Sequence, residues 1–136
     1  MSRVVCDSSA LVALLADAGP GGRWVTEQVA GALLLAPALV LYEAANVLRR
    51  HELAEKITGD QAAQAHADLL DLPIELWPYE PLAARAWELR DNLSIYDAAY
   101  VALAELQDAP LVTLDRRIAG APGLRCPAAV PPFTDS

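Results

Sequence analysis

Short apolar runs alternate along this chain with longer segments in which apolar residues recur at helical spacing. Strands that alternate with helices are typical of a parallel sheet covered on both faces. We therefore predict an α/β, three-layer fold with a central, mostly parallel sheet of about five short strands. The predicted strands cover residues 3–6, 33–36, 74–77, 111–114 and 124–126, and the predicted helices cover 9–16, 23–29, 37–53, 58–70, 81–91, 94–106 and 116–119.

Glycine and proline punctuate this pattern at two places. The segment 17–22 contains three glycines and a proline and is predicted to be a loop. Pro37 is predicted to open the third helix, because proline is tolerated in a first helical turn. We find no internal repeat and no linker, so we expect residues 1–136 to form a single domain.

Composition and charge narrow the possible functions. Hydrophobic residues make up 54% of the chain, so we expect a folded domain. The net charge is −8, so we do not expect nonspecific binding to nucleic acid. Chemistry on nucleic acid would need metal ions, local arginines or a basic partner. The two cysteines, Cys6 and Cys126, are expected to be reduced. Without a run long enough to span a membrane, we expect a cytoplasmic protein with no membrane partner.

Four acidic residues occupy positions that a folding chain normally keeps apolar. Asp7 and Asp115 each close a predicted strand, whereas Glu43 and Asp97 lie within apolar helices. A buried carboxylate is costly unless a partner compensates its charge, and the only lysine, Lys56, is adjacent to none of the four. Ligands of open parallel sheets bind at the carboxyl ends of the strands. The pattern therefore indicates a metal site there.

Each acid also has an ordinary structural explanation. Asp7 and Asp115 are each followed by a predicted helix and are suitable N-caps. Asp97 fits a capping box at the start of its helix. Glu43 could pair with Arg50 on the same helix or turn towards solvent at an edge. Capping does not account for Glu43, and it does not require all four side chains to converge, so the metal site remains the stronger hypothesis.

Four segments resemble the PIN-domain ribonucleases, specifically the VapC-type toxins of bacterial toxin–antitoxin pairs. The resemblance implies that Asp7, Glu43, Asp97 and Asp115 form an acidic quartet that holds Mg²⁺, or alternatively Mn²⁺. One departure is Cys6, at a position more often aliphatic. The matching segments are residues 5–11, 42–48, 94–104 and 111–117.

The same resemblance implies accessory residues, a substrate and a partner. Thr113 and Ser9 match hydroxyl positions beside the site, and Arg116 and Arg117 directly follow a strand that carries one of the acids, so we predict that they contact RNA phosphate. The implied substrate is RNA (tRNA, rRNA or mRNA). The implied partner is a VapB-type antitoxin in a homodimer or toxin–antitoxin hetero-oligomer, and operator DNA is expected to bind only through that antitoxin.

Two functions of other classes stay open at this point. A catalytically silent PIN-like binding module would carry the same residues without cleaving RNA. A signalling receiver domain would also have acids at strand ends, but it needs a lysine at the end of a late strand to contact a phosphoryl group. Lys56 precedes the third predicted strand, so that lysine is not where a receiver domain requires it.

Overall fold

A computed structural model describes residues 2–133, in which five strands form one sheet. All neighbouring strands are parallel, in the order β3-β2-β1-β4-β5. The predicted α/β fold is therefore confirmed. The strands are β1 (Arg3–Cys6), β2 (Leu33–Pro37), β3 (Ile74–Trp77), β4 (Leu111–Val112) and β5 (Ala128–Ala129).

Seven α-helices accompany these strands within the described residues. Among them α6 packs against β1, β2 and β4, whereas α1 contacts α2, α3 and α4. A short 3₁₀ turn, Glu80–Leu82, leads directly into α5. The helices are α1 (Ser8–Ala16), α2 (Pro20–Val29), α3 (Val40–Leu53), α4 (Gly59–Asp71), α5 (Ala83–Glu88), α6 (Ile95–Leu106) and α7 (Arg116–Ala119).

The central strand β1 is buried on both faces. Val4, Val5 and Cys6 are consecutive and all buried, and successive side chains of a strand point to opposite faces. In the register, Val5 lies opposite Leu35 of β2 and Leu111 of β4. The carboxyl ends of β1 and β4 are consequently adjacent, which places the residues that follow each strand side by side.

Helix α2 and Pro37 differ from the sequence-based prediction. The loop predicted over 17–22 is wrong beyond Gly19, because α2 begins at Pro20, where proline occupies the first helical turn. Gly21 and Gly22 are buried within this helix. Pro37 does not open α3: it is the last residue of β2, and α3 begins at Val40.

The remaining differences concern element ends. β4 stops at Val112 rather than at residue 114, because the Leu114 N–H donates to the Ser9 hydroxyl and leaves the sheet. The last strand lies at Ala128–Ala129 rather than at 124–126. The predicted helix 81–91 consists of the 3₁₀ turn followed by α5. Neither cysteine is disulfide-bonded. No described helix combines the length and the apolar character that a membrane crossing requires.

Candidate active site

Asp7 lies at the carboxyl end of β1 and is the N-cap of α1. Its Oδ1 accepts the Ala10 N–H at 3.0 Å and the Ser9 hydroxyl at 2.6 Å, and its Oδ2 accepts the Thr113 hydroxyl. The capping alternative is therefore correct, yet capping leaves the carboxylate buried. Burial raises the pKa of Asp7, and the nearby charge of Asp115 raises it further, whereas the three hydrogen bonds oppose the rise.

Two hydroxyls join the end of β4 to the start of α1. The Thr113 Oγ1 accepts the Asp115 N–H at 2.9 Å, and the Ser9 Oγ accepts the Leu114 N–H at 3.0 Å. Both hydroxyls donate to Asp7, as described above, so they fix its orientation through a short network. The sequence predicted Ser9 and Thr113 beside the site, and the structure has them there.

Glu43 projects from the first turns of α3 towards α6. Its Oε1 accepts the Tyr100 hydroxyl at 2.5 Å, so it does not use the predicted alternative partner, Arg50. Burial raises the pKa of Glu43 most, the Tyr100 hydrogen bond opposes the rise, and the charges of Asp97 and Asp7 add to it. Tyr100 lies three residues after Asp97 on α6, but no sequence motif identified it as a partner of Glu43.

Asp97 lies in the first turn of α6. Its backbone N–H donates to the Ser94 hydroxyl at 3.1 Å, which is one half of the predicted capping box. Burial raises the pKa of the Asp97 carboxyl, Arg117 lowers it, and Asp115 raises it. Glu43 and Asp97 therefore both carry charge into the region where Asp7 and Asp115 lie.

Asp115 caps α7 and forms an ion pair with an arginine of the same short helix. Its carboxylate accepts the Arg117 backbone N–H at 2.9 Å and the Arg117 guanidinium at 2.6 Å. The same guanidinium lies 3.8 Å from Asp97, although 79% of the Arg117 side chain is exposed. The Arg116 guanidinium instead donates to the carbonyls of Pro131 and Phe133. Whether either arginine contacts RNA stays a prediction.

The four carboxylates are a chemically suitable donor set for a hard divalent ion. Their oxygens are the ligands that Mg²⁺ and Mn²⁺ prefer. The charge of Asp115 contributes to the raised pKa of Asp7 and of Asp97, and the charges of Asp97 and Asp7 contribute to that of Glu43. In the present side-chain positions, however, no three acidic, histidine or cysteine residues between 2 and 133 are arranged to hold one ion. Arg117 neutralises part of the charge, so a cation would have to displace this guanidinium.

An open cavity of about 520 Å³ adjoins this acidic group. Its lining includes Ser9, Asp115 and Arg117 together with Pro131 and Phe133 of the C-terminal segment. The cavity is larger than a metal ion needs, so a bigger ligand has room beside Asp115.

The match to known proteins agrees with this arrangement. The family model described as the PIN domain matches residues 4–124. Ribonuclease VapC1 of Mycobacterium tuberculosis (strain ATCC 25618 / H37Rv) is 39% identical over 127 residues, which cover 93% of this chain and 96% of that protein. The chain belongs to the PIN-domain family and is of the VapC type.

Two solved structures share the fold of this PIN domain. The crystal structure of Mycobacterium tuberculosis VapC20, a Sarcin-Ricin loop cleaving toxin, has a TM-score of 0.64 and 19% identity, with 87% of this chain and 95% of that one covered. VapBC2 from Rickettsia felis, bound to a DNA fragment from its promoter, has a TM-score of 0.64 and 16% identity, with 93% and 98% covered. The predicted family is confirmed, and the receiver-domain alternative is wrong.

Proposed function

We propose that this PIN domain is an Mg²⁺-dependent endoribonuclease toxin that a VapB-type antitoxin neutralises. The observation that carries the proposal is the convergence of Asp7, Glu43, Asp97 and Asp115 from separate elements, with charges that act on one another. Such a group has a clear use in phosphodiester hydrolysis, because it holds the cations that neutralise a phosphate. The likeness to a protein named Ribonuclease VapC1 supports RNA as the substrate.

Each acidic side chain has a distinct place in this proposal. Asp7 and Asp97 would hold the principal ion, and Asp115 and Glu43 would complete the site or recruit a second ion. When bound, Mg²⁺ or Mn²⁺ would supply positive charge at the scissile phosphate and lower the pKa of a water molecule. Hydrolysis would leave a 5′-phosphate and a 3′-hydroxyl.

The surrounding residues would orient these acids rather than react. Ser9 and Thr113 hold both oxygens of Asp7, so that its orientation is set before a cation arrives. Tyr100 holds one oxygen of Glu43 and leaves the other available. Arg117 would leave Asp115 when a cation binds, and its exposed guanidinium would then be available to an RNA phosphate.

The charge of the whole chain suits a basic protein partner. At a net charge of −8, this domain favours association with a basic antitoxin segment through charge complementarity. We propose a cytoplasmic homodimer or toxin–antitoxin hetero-oligomer in which the antitoxin supplies any contact with operator DNA. Co-purification with the product of the neighbouring gene tests this partnership, and recovery of the toxin alone would contradict it.

A catalytically silent PIN module is the second candidate. It is favoured by the ion pair between Arg117 and Asp115, since a permanent internal cation would make a metal ion unnecessary. A cleavage assay with Mg²⁺, with Mn²⁺ and with a chelator separates the two functions. The endoribonuclease requires cleavage that the chelator abolishes.

Single substitutions then identify the residues responsible. Asp97→Asn should slow cleavage by at least about 100-fold, the usual scale for losing one group that stabilises transition-state charge. Asp68→Asn makes the same chemical change on the exposed face of α4 and should leave the rate unchanged. Undiminished cleavage by both Asp7→Asn and Asp97→Asn would reject the proposed site.

A further inference from the structure

A second cavity, of about 600 Å³, lies beside the acidic site. It shares Ser9 and Leu114 with the cavity that adjoins Asp115, so the two spaces meet at the start of α1. Its opposite wall is formed by Arg50, His51 and Lys56. The chain has ten lysines and arginines in all, and its single lysine is among these three residues.

The backbone at the end of α3 brings the three basic residues together. Arg50 and His51 lie in the last turn of the helix. Glu55 then adopts a left-handed conformation with φ of 59°, and the Lys56 N–H donates to the His51 carbonyl at 2.9 Å. This is a Schellman-type helix end, which folds the chain back over the last turn. The position of Lys56 is thus set by a defined backbone motif.

The positive charge of this wall is not neutralised within the described part of the protein. Arg50, His51 and Lys56 form no ion pair there, whereas Arg85 pairs with glutamates and Arg117 with aspartates. Burial lowers the pKa of His51, and the charges of Lys56 and Arg50 lower it further, so the three groups lie within electrostatic range of one another.

One acid lines the same cavity without pairing with this wall. Asp17 Oδ1 accepts the Gly19 N–H at 2.7 Å, which turns that oxygen towards the start of α2. An anionic ligand would therefore meet three basic groups and one partly engaged carboxylate.

We infer that this basic cavity binds backbone phosphates of the RNA strand on one side of the scissile bond. The inference rests on the proposed function and adds the path of the substrate to it. An acidic protein that holds RNA must neutralise phosphates locally, and Arg50 and Lys56 supply two cations for that beside the site. His51, whose lowered pKa disfavours its charged form, would contribute a hydrogen bond rather than a charge. Because the two cavities meet at Ser9 and Leu114, a continuous strand could occupy both.

Basic residues near a helix C-terminus also have an ordinary role, since they interact favourably with the helix dipole. That role predicts an effect on thermal stability and none on RNA affinity. Arg49 provides a matched comparison, because it precedes Arg50 on α3, is exposed and does not line the cavity.

The test measures RNA affinity in the Asp7→Asn background, so that the RNA stays intact. Fluorescence anisotropy with a labelled single-stranded RNA would compare Arg50→Gln/Lys56→Gln with the matched control Arg49→Gln/Arg125→Gln, which removes the same charge from exposed positions. The first variant should bind at least about tenfold more weakly at low salt. Its plot of log affinity against log salt should also be shallower by about 1.4, or about 0.7 per lost phosphate contact. The control should change affinity less than about twofold.

Two outcomes would overturn the inference. Equal losses in both double variants would mean that only net charge matters. Unchanged RNA affinity in Arg50→Gln/Lys56→Gln would show that the cavity does not bind RNA phosphate. If that variant also lost binding of oligoglutamate, the cavity would be assigned to an acidic peptide instead. If these results accompany metal-dependent RNA cleavage by the wild-type protein, the inference fails while the proposed function stands. Absence of wild-type cleavage would instead count against the proposed function.

Discussion

At the scale of single residues, Asp7 combines a structural role with the proposed chemical one. Its Oδ1 caps α1 and accepts the Ser9 hydroxyl, and its Oδ2 accepts the Thr113 hydroxyl, so the fold fixes the orientation of the carboxylate. Burial nevertheless makes its negative charge costly, which the raised pKa records. The neighbouring groups of the fold therefore do not fully compensate the negative charge of Asp7.

Replacing Asp7 with asparagine should stabilise the protein at neutral pH. The folded state raises the pKa of Asp7, so it binds the proton more tightly than the unfolded state, whose value is about 3.9. The charge of Asp7 therefore begins to lower the free energy of unfolding at about pH 4, and this cost grows as the pH rises towards the pKa of the folded state. Asparagine is also a good N-cap. We expect a higher melting temperature at about pH 7 and no gain below about pH 4.

Thermal denaturation at the two pH values measures this gain. The control is Asp68→Asn, which removes an exposed charge and should show little pH-dependent difference. A lower melting temperature of Asp7→Asn at neutral pH would mean that the hydrogen bonds of the carboxylate outweigh its desolvation.

Arg117 is the internal cation of the acidic group. Its guanidinium pairs with Asp115 at 2.6 Å and lies 3.8 Å from Asp97, but most of its side chain is exposed. An exposed ion pair contributes little to stability, so displacing it costs little. A divalent ion therefore competes with a weak partner.

Arg117→Gln should increase the affinity of the protein for Mg²⁺ and Mn²⁺. Without the guanidinium, Asp97 and Asp115 lose their nearby positive charge, and we expect the dissociation constant to fall by a few-fold. Isothermal titration calorimetry of the free protein measures this directly, without any cleavage assay. Arg116→Gln makes the same charge change at the neighbouring residue. It should alter the affinity less, because the Arg116 guanidinium donates to the Pro131 carbonyl rather than to one of the acids. An equal change in both variants would contradict a specific role for Arg117.

At the scale of elements, α2 shows why composition misled the prediction at 17–22. Gly22 lies inside a helix at a point where the backbone of Ala13 in α1 and of Asp17 after it approaches too closely for a side chain, whereas a Cβ on Gly21 would meet only the Asp17 side chain. A Cβ on Gly22 would lie 2.7 Å from the Ala13 carbonyl oxygen and closer still to that of Asp17. Glycine here serves close packing rather than a turn, and a single sequence does not distinguish the two uses.

Gly22→Ala should destabilise the domain strongly. The methyl group would collide with backbone atoms, which cannot rotate away, so α1 and α2 would have to separate. We expect a loss of about 2–3 kcal/mol in the free energy of unfolding, measured by urea denaturation. Gly59→Ala is the matched control, because its Cβ would meet only the Glu52 side chain, at 3.5 Å. Equal stability of the two variants would contradict the proposed close contact.

The alternating pattern was sufficient to predict most elements, but local contacts decided where they end. β1, α3 and α6 were predicted within a few residues of their observed bounds. For the two helices the reason is that long periodic segments carry a strong signal. β4 is shorter than predicted because Leu114 donates to Ser9 across 105 residues of chain, a contact that no local pattern encodes. β5 was misplaced for a similar reason, since its two alanines pair with β4 without a strong apolar run.

The same distinction applies to the site: some of its features could be predicted from motifs, and others depend on tertiary contacts. The acids could be predicted, because each interrupts an apolar segment or ends one. The partner of Glu43 could not, because the choice of Tyr100 over Arg50 depends on how α6 packs against α3. The pairing of Arg117 with Asp115 was also missed, although a separation of two residues at a helix start is a usable signal for such a contact.

At the scale of the whole molecule, the charge distribution is uneven in a way that net charge conceals. The chain carries −8 overall, yet its acidic site borders a cavity wall with three basic groups. These neighbouring surfaces have opposite local potentials, which suits RNA as a ligand. The basic wall would contact backbone phosphates, and the acidic site would hold the cations needed at the point of cleavage. A uniformly acidic surface would favour only a basic protein partner.

Divalent ions should stabilise the whole fold through the acidic site. A cation that binds the native state and not the unfolded one adds RT ln(1 + [L]/Kd), which is about 2.7 kcal/mol at a concentration of 100 Kd. Because the raised pKa values of Asp7, Glu43 and Asp97 reflect uncompensated charge, we expect the melting temperature to rise with Mg²⁺ until the site saturates. Sodium chloride at matched ionic strength provides the control, since screening of the net charge stabilises the fold without using the site. Asp97→Asn should lose the Mg²⁺-specific part of the rise and keep the salt-dependent part. An identical response to both salts in the wild-type protein would show that its acids bind no divalent ion tightly.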